Sequence, residues 1–438
     1  MRSLLSQLIR LRDELFSVVR SPAKLKSLLH ISLYANAIYI MLASASTGLF
    51  GFVFWIVAAR LYTTDVVGIA SAIISVAALL ETICFLGLGY GLIRFLQSST
   101  DPIKLINSSL TLTGLLSLAA AGIFIVGLNI WSPSLSIIRE NPFYMVIFLL
   151  YVPMLVLDDL TDHIMIGKRR AMFSFAHILI FNISRLALLV LLVVFSRSFG
   201  IVGSWSAATL IALLISLFLL LPRAQPGYRL CFVVDKKEFS GVLNFSFLNY
   251  LSDLFWSVPG LVLPIIVLNL LGAKSNAYFY MAWTMSSILT MIPMGVSVSL
   301  LAEGAYDETK LKTHVKSSLK MITILLIPAA VIIWFLANQL LRLYGGLYAE
   351  NAVTLLRWLV IAAFPSAINI VYFNIKRVQK IMKPVIILTA FMAFIAISVS
   401  YLLLPRLGIN GVGIAWLSAQ SAIAIVVVFW DLRRWVLR

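Results

Sequence analysis

Apolar stretches of about 20 residues follow one another from residue 35 onward, separated by short polar turns. Each is long enough to cross a hydrocarbon core of ~30 Å as a helix rising ~1.5 Å per residue. Twelve such segments run over residues 35–59, 67–93, 106–130, 143–166, 173–196, 200–221, 243–270, 276–302, 318–337, 352–375, 384–404 and 408–430. Their number rules out a water-soluble fold, and the composition agrees: 61% hydrophobic, 12% charged, mean hydropathy +1.02. Their length also rules out a transmembrane β-barrel, whose strands are about ten residues of alternating polarity. The expected fold is an all-α polytopic membrane protein with twelve transmembrane helices.

Charge placement orients them. Of the 34 Lys and Arg, 26 fall on one side of the twelve segments, and seven on the other: Arg60, Arg139, Arg197, Lys274, Arg342, Arg357 and Arg406. The positive-inside rule makes the first side cytoplasmic, with both termini there and the plasma (inner) membrane as the expected location. Nine acids share that side, so its balance equals the formal charge of +17. Membrane topology therefore accounts for the basicity; anionic lipids are expected as partners, and nucleic acid is not. Cys84 within the second segment and Cys231 in a polar loop do not suggest a disulfide.

Residues 1–30 lack the apolar core of a cleavable leader. Instead Leu4, Leu5, Leu8, Leu11, Leu15, Val18 and Val19 recur at helical spacing opposite Ser6, Arg10, Asp13 and Glu14, which predicts an amphipathic helix on the inner surface. The expected organisation is that helix (1–30), a six-helix lobe (31–221), a cytoplasmic linker (222–242) and a second six-helix lobe (243–438). The longest loop is too short to fold alone, and no G-x-x-x-x-G-K-[ST] loop is present, which argues against an ATPase, a glycosyltransferase or another enzyme on this chain.

The halves repeat. FGIVGSWSAATLIA (199–212) matches LGINGVGIAWLSAQ (407–420) at an offset of 208, and the same offset aligns FLGLGYGLIRF (85–95) with PMGVSVSLLAE (293–303), setting Gly87 on Gly295. A weaker match joins RLYTTDVVGIAS (60–71) to LLGAKSNAYFYM (270–281). Two lobes related by a pseudo-two-fold axis along the membrane normal follow, with a cavity between them. Pro259-Gly260 and Pro264 in the seventh segment, and Pro293 with Gly295 in the eighth, are expected to break those helices.

Asn36 followed by VAARLY, then VVGIAS, LGLGYGLIRFL and the paired G-I-x-G helices, resembles the polysaccharide and lipid-linked oligosaccharide flippases of the multidrug/oligosaccharidyl-lipid/polysaccharide (MOP) exporter superfamily. The resemblance spans nearly the whole chain. It implies a polyprenyl (pyro)phosphate-linked oligosaccharide moved from the cytoplasmic to the outer leaflet by alternating access, with glycan polymerases or transferases as possible partners. It places helices one, two, seven and eight around the passage, which makes Glu81, Asp253 and Asn36 substrate-binding candidates.

Charges inside the apolar segments are costly and should face protein or a wet cavity. In LDDLTDHIMIGKRR (157–170), Asp158 and Asp162 share one helical face and Asp159 and His163 an adjacent one. Arg185 stands at a similar depth on the next, antiparallel segment, so an aspartate–Arg185 ion pair is expected. Three roles stay open: self-neutralisation within the lobe, a phosphate site at Arg185, or H⁺ or Na⁺ coupling at Asp158, Asp162 or Glu81. Arg60 and Arg94, at helix ends, are either snorkelling anchors or substrate ligands. Lys168, Arg169 and Arg170 are expected at the cytoplasmic mouth. No cofactor or structural metal is expected beyond a coupling ion. Two rivals remain: five deep acids against one Arg suit a cation, so a cation or drug antiporter of the same fold is the first. The second is a membrane enzyme using Asp159 and His163, disfavoured because no His and Cys cluster completes a site.

Overall fold

The chain is represented by a computed structural model that describes residues 32–306 and 311–429. The surface helix expected over 1–30 and the basic residues Arg433, Arg434 and Arg438 lie outside the described residues. Thirteen helices position the site: α1 (Ser32–Leu61), α2 (Thr64–Phe85), α3 (Leu88–Phe95), α4 (Pro102–Val126), α5 (Pro142–Gly167), α6 (Ala171–Phe195), α7 (Gly200–Ile215), α8 (Lys236–Tyr306), α9 (Leu311–Phe335), α10 (Ala337–Arg342), α11 (Gly346–Val378), α12 (Met382–Leu407) and α13 (Asn410–Val427). Polar residues at their starts explain several boundaries. Asp101 accepts from the backbone N–H of Lys104 at 3.0 Å and Asn141 from that of Phe143 at 3.0 Å, each just before a proline already set for the first helical turn.

Eleven apolar spans occur among the described residues. One of them, Phe247–Ser297, has 51 residues, about 75 Å of helix and more than twice the thickness of a bilayer core. Gly272 divides α8 into two arms, 236–271 and 273–306, with backbone angles (φ 82°, ψ 177°) that only glycine adopts without strain.

In the first half α1 and α7 pack on α6, while α2 and α4 pack on α5; in the second, α8 packs on α11 and α12, and α13 on both. The halves meet chiefly where α2 lies along α8. There Asn276 Nδ2 donates to the Gly68 carbonyl at 2.7 Å and to Ser71 Oγ at 3.1 Å. Gly68 and Asn276 are 208 residues apart, the offset of the sequence repeat. The local match, 60–71 on 270–281, runs at 210, so the contact joins near-equivalent residues of the two halves, as expected close to a pseudo-two-fold axis. A Cβ on Gly68 would stand 1.8 Å from the Ala273 carbonyl oxygen, so only glycine permits that approach.

The expected helix breaks fall elsewhere. Pro259, Pro264 and Pro293 lie inside continuous helix. Proline deletes one hydrogen bond but keeps a helical φ, so the arms pass through it without unwinding. The second segment does break: Leu86 (φ 53°) and Gly87 (φ 69°) take left-handed conformations between α2 and α3. Leu86 is the strained member of the pair, having a side chain where glycine is favoured. After α7 the chain widens into a π turn over Ser216–Leu220.

Candidate functional site

Where the sixteen residues from Lys236 lead α8 into the membrane, they bring Ser252 and Asp253 opposite the end of α11. Arg377 Nη2 makes an ion pair with Asp253 Oδ1 and donates to Ser252 Oγ at 3.2 Å. From the other half, the Tyr90 hydroxyl on α3 donates to Asp253 Oδ2 at 2.9 Å. The left-handed step at Leu86–Gly87 re-aims α3 just before Tyr90. These groups line a cavity of about 410 Å³, together with Trp256, Ser257, Met294, Ile370, Phe373, Asn374 and Thr389. Asp253 and Arg377 keep 32% and 27% of their side-chain surface exposed there, so the pair is reachable by a solute. A second chamber of about 210 Å³ shares Trp256 and Ser257 with the first and adds Gly260, Trp283, Ser286, Ser287, Thr290 and Trp416.

At the opposite face the halves are sealed. Arg60, at the end of α1, donates from Nε to the Leu343 carbonyl at 2.9 Å and from Nη2 to the Arg342 carbonyl at 2.6 Å. Those are the free carbonyls at the end of α10, where the helix dipole is negative and a guanidinium is favoured. Asn269 accepts from Ser132 Oγ at 3.0 Å and donates to the Trp131 carbonyl at 3.1 Å, and Lys274 stands 4.0 Å from Asp65. Arg60, Arg342 and Lys274 all belong to the seven basic residues that the sequence assigned to one side. Of these, Arg60 touches the Arg342 carbonyl directly, while Lys274 pairs with Asp65.

The first lobe holds a different arrangement. Asp158 Oδ2 is 3.2 Å from His177 Nε2, whose Nδ1 is 2.6 Å from Ser216 Oγ at the start of the π turn. Asp159 Oδ1 lies 3.5 Å from His163 Nδ1. Asp162 is in electrostatic reach of both histidines, and Glu81 of Asp158 and Asp159. The three residues expected at an ion site, Asp158, Asp162 and Glu81, are thus gathered into one network. One oxygen each of Asp158 and Asp162 is buried without a protein partner. Metal-like clusters of three or more His, Cys, Asp or Glu side chains are absent among the described residues.

The aspartate–Arg185 ion pair does not form. Arg185 is 3% exposed, donates to Asn182 Oδ1 at 2.8 Å, and lies 4.9, 4.9 and 4.6 Å from the rings of Phe54, Phe181 and Trp205. The two helices pair in a different register from the one expected: His177, eight residues before Arg185 and so about 12 Å back along α6, stands opposite Asp158. Cation–π contact replaces the carboxylate. Asn36 is engaged structurally as well, accepting from the Ala171 N–H at 3.0 Å and so pinning α1 to the start of α6. Arg94 is exposed near the end of α3, with its guanidinium 5.6 Å from the Phe95 ring. Lys168 follows α5 and is half-buried, with burial lowering its ammonium below the ordinary lysine value, whereas Arg169 and Arg170 are exposed. Sequence reasoning missed Arg377, counted only among the basic flank, and His177. A signal existed for the second: it is one of four histidines in the chain and stands within an apolar run.

Two helical halves sealed at one face and enclosing a polar, aromatic cavity define a multi-pass membrane transporter, and comparison with known proteins agrees. The family model "Polysaccharide biosynthesis protein" matches residues 33–300, and the chain belongs to that family. The MatE model matches residues 250–402. Among solved structures, the lipid II flippase MurJ in an inward closed conformation superposes with a TM-score of 0.71 at 15% identity, covering 90% of this chain and 87% of that one. An inward-facing multidrug resistance MATE transporter of the MOP superfamily gives 0.68 at 15% identity over 91% and 98% of the two chains. An outward-facing one gives 0.59 at 14% over 92% and 95%. No curated protein sequence matches. The fold is that of the MOP superfamily.

Proposed function

We propose that this chain is a flippase that carries a polyprenyl (pyro)phosphate-linked oligosaccharide from the cytoplasmic to the outer leaflet of the plasma membrane. The observation that carries the reading is Arg377 in the wall of the 410 Å³ cavity. Its planar donor fork matches a phosphate, and Asp253 serves as the resting counter-ion that a phosphate displaces. By the positive-inside rule the face of Lys168–Arg170 is cytoplasmic, and the Arg60 seal is the outer gate. The headgroup enters beside Arg377 while the polyprenyl tail stays in lipid. Rocking of the two lobes parts the Asp65–Lys274 and Gly68–Asn276 contacts and so opens the outer side. No covalent chemistry is involved.

The Asp158–His177–Ser216 relay, with Asp162 and Glu81, is the proposed coupling site for H⁺ or Na⁺, because buried carboxyl oxygens without protein partners are ready ligands for either. Anionic lipids are proposed to contact the basic cytoplasmic face, and a glycan polymerase or transferase to consume the product.

A cation or drug antiporter is the second reading, favoured by the four carboxylates gathered in the first lobe. Proteoliposomes loaded with a fluorescent polyprenyl-pyrophosphoryl trisaccharide separate the two. Protein-dependent movement of unchanged lipid between leaflets supports the flippase. Ethidium exchange with no lipid movement contradicts it.

A further inference from the structure

The 210 Å³ chamber beyond Arg377 is built for a different part of a ligand than the cavity it adjoins. Along α8, Gly260 lies seven residues past Asp253, about 10 Å further from the basic face. The chamber therefore continues the cavity toward the bilayer middle.

Its walls are rigid and aromatic. Trp283 is T-shaped to Trp416 at 5.0 Å and packs on Phe279 at 5.7 Å, while Trp256 is T-shaped to Phe373 at 6.1 Å. Gly260 faces Trp283 with no side chain; a Cβ there would already touch the indole Nε1 at 3.4 Å. Between these rings stand hydroxyls whose hydrogens are committed to their own helix. Ser286 donates to the Trp283 carbonyl at 2.8 Å, Ser287 to the Thr284 carbonyl at 2.7 Å, and Thr290 to the Ser287 carbonyl at 2.8 Å. What remains on each oxygen is its acceptor capacity, two lone pairs.

With three indole N–H donors at its edges, a chamber that otherwise offers aromatic faces and hydroxyl acceptors selects a ligand with an apolar C–H face and several O–H groups, which both donate and accept. A pyranose has both. Carboxylate and phosphate have neither, and acceptors facing acceptors in a low-dielectric site repel them. An organic cation would also suit aromatic walls. Yet the two adjoining cavities contain one acid, Asp253, already neutralised by Arg377 and bound by Tyr90, so a cation would meet no free counter-charge. At 210 Å³ the chamber is below the roughly 300 Å³ of a drug-sized pocket and admits one ring, not a chain.

We infer that Trp256, Trp283 and Trp416, with the acceptor hydroxyls of Ser286, Ser287 and Thr290, form a subsite for a neutral sugar ring attached to the phosphate bound at Arg377, and that the subsite rejects acidic sugars. This rests on the flippase reading and names its substrate class: a glycan whose first-entering sugar is uncharged.

The test is binding of three soluble probes to the purified full chain by titration calorimetry: farnesyl pyrophosphate, farnesyl pyrophosphate bearing a neutral hexose disaccharide, and the same compound with both hexoses replaced by hexuronic acids. The neutral compound should bind at least tenfold more tightly than either of the others. Trp283→Ala should erase that advantage, and Trp283→Phe, which keeps a ring, should retain most of it. The comparison among ligands uses wild-type protein, so it survives misfolding of any variant. Equal binding of the bare and neutral compounds, or of the neutral and uronate compounds, overturns the subsite and leaves the Arg377 reading standing. Failure of all three to bind overturns both. Binding of tetraphenylphosphonium that Trp283→Ala abolishes makes the chamber a cation site and also overturns the inference.

Discussion

The two lobes share one repeat but hold their charges in opposite ways. In the first, Asp158, Asp159, Asp162 and Glu81 crowd around His163 and His177, and the single deep cation, Arg185, is closed off behind Phe54, Phe181 and Trp205. In the second, one ion pair between Arg377 and Asp253 stands part-exposed in a cavity walled by hydroxyls and tryptophans. The first arrangement suits small ions taken up within a lobe; the second suits a large polar solute held between lobes. Duplication has therefore supplied the frame, and on the proposed reading divergence has separated driving from carrying.

Four predictions bear on that separation. The largest effect is expected at Gly68. Gly68→Ala sets a methyl against the Ala273 carbonyl, and both are backbone-fixed, so the outer gate should fail to close and lipid translocation should fall more than tenfold. Crosslinking yield between cysteines placed at positions 65 and 274 reads gate closure directly. Next, Asp158→Asn and His177→Gln should each abolish the dependence of transport on an imposed ion gradient while leaving the affinity of the headgroup at Arg377 within twofold. A loss of headgroup binding in either variant would merge the two lobes' roles.

Arg185→Ala should act through stability. It vacates a buried site held by three rings and one amide, so the thermal midpoint should drop by several degrees, with translocation per folded molecule nearly unchanged. The smallest effect is expected for Arg60→Ala, which removes two hydrogen bonds to helix-end carbonyls, about 1–3 kcal/mol in total. Double electron–electron resonance across the outer gate should report a shift toward the open form, with lipid transport changed only a few-fold.

The sequence made the frame legible because hydropathy, charge asymmetry and repeat offset are each one-dimensional signals. Register between neighbouring helices was less legible. Counting residues from the turn sets Arg185 level with Asp158, but in the packed pair His177 stands opposite Asp158, which carries Arg185 about 12 Å further along α6. Arg377 escaped for a related reason. At the end of a helix it reads as one more interfacial cation, and only the fold of α8 against α11 brings Asp253 within its reach. The chamber tryptophans were invisible as a group because Trp256, Trp283 and Trp416 come from three separate passes, with Phe373 behind them on a fourth. Prolines in α8 misled in the other direction, since they mark bends in the sequence while the chain actually changes course at Gly272 and at Leu86–Gly87.

The most direct test of the account compares Arg377→Gln with wild type in proteoliposomes carrying a fluorescent polyprenyl-pyrophosphoryl trisaccharide, with Asp253→Asn alongside to control for the loss of the pair. The account predicts that Arg377→Gln lowers translocation more than tenfold while Asp253→Asn, which frees the guanidinium, retains or strengthens headgroup binding. Wild-type rates in a folded Arg377→Gln protein would contradict it.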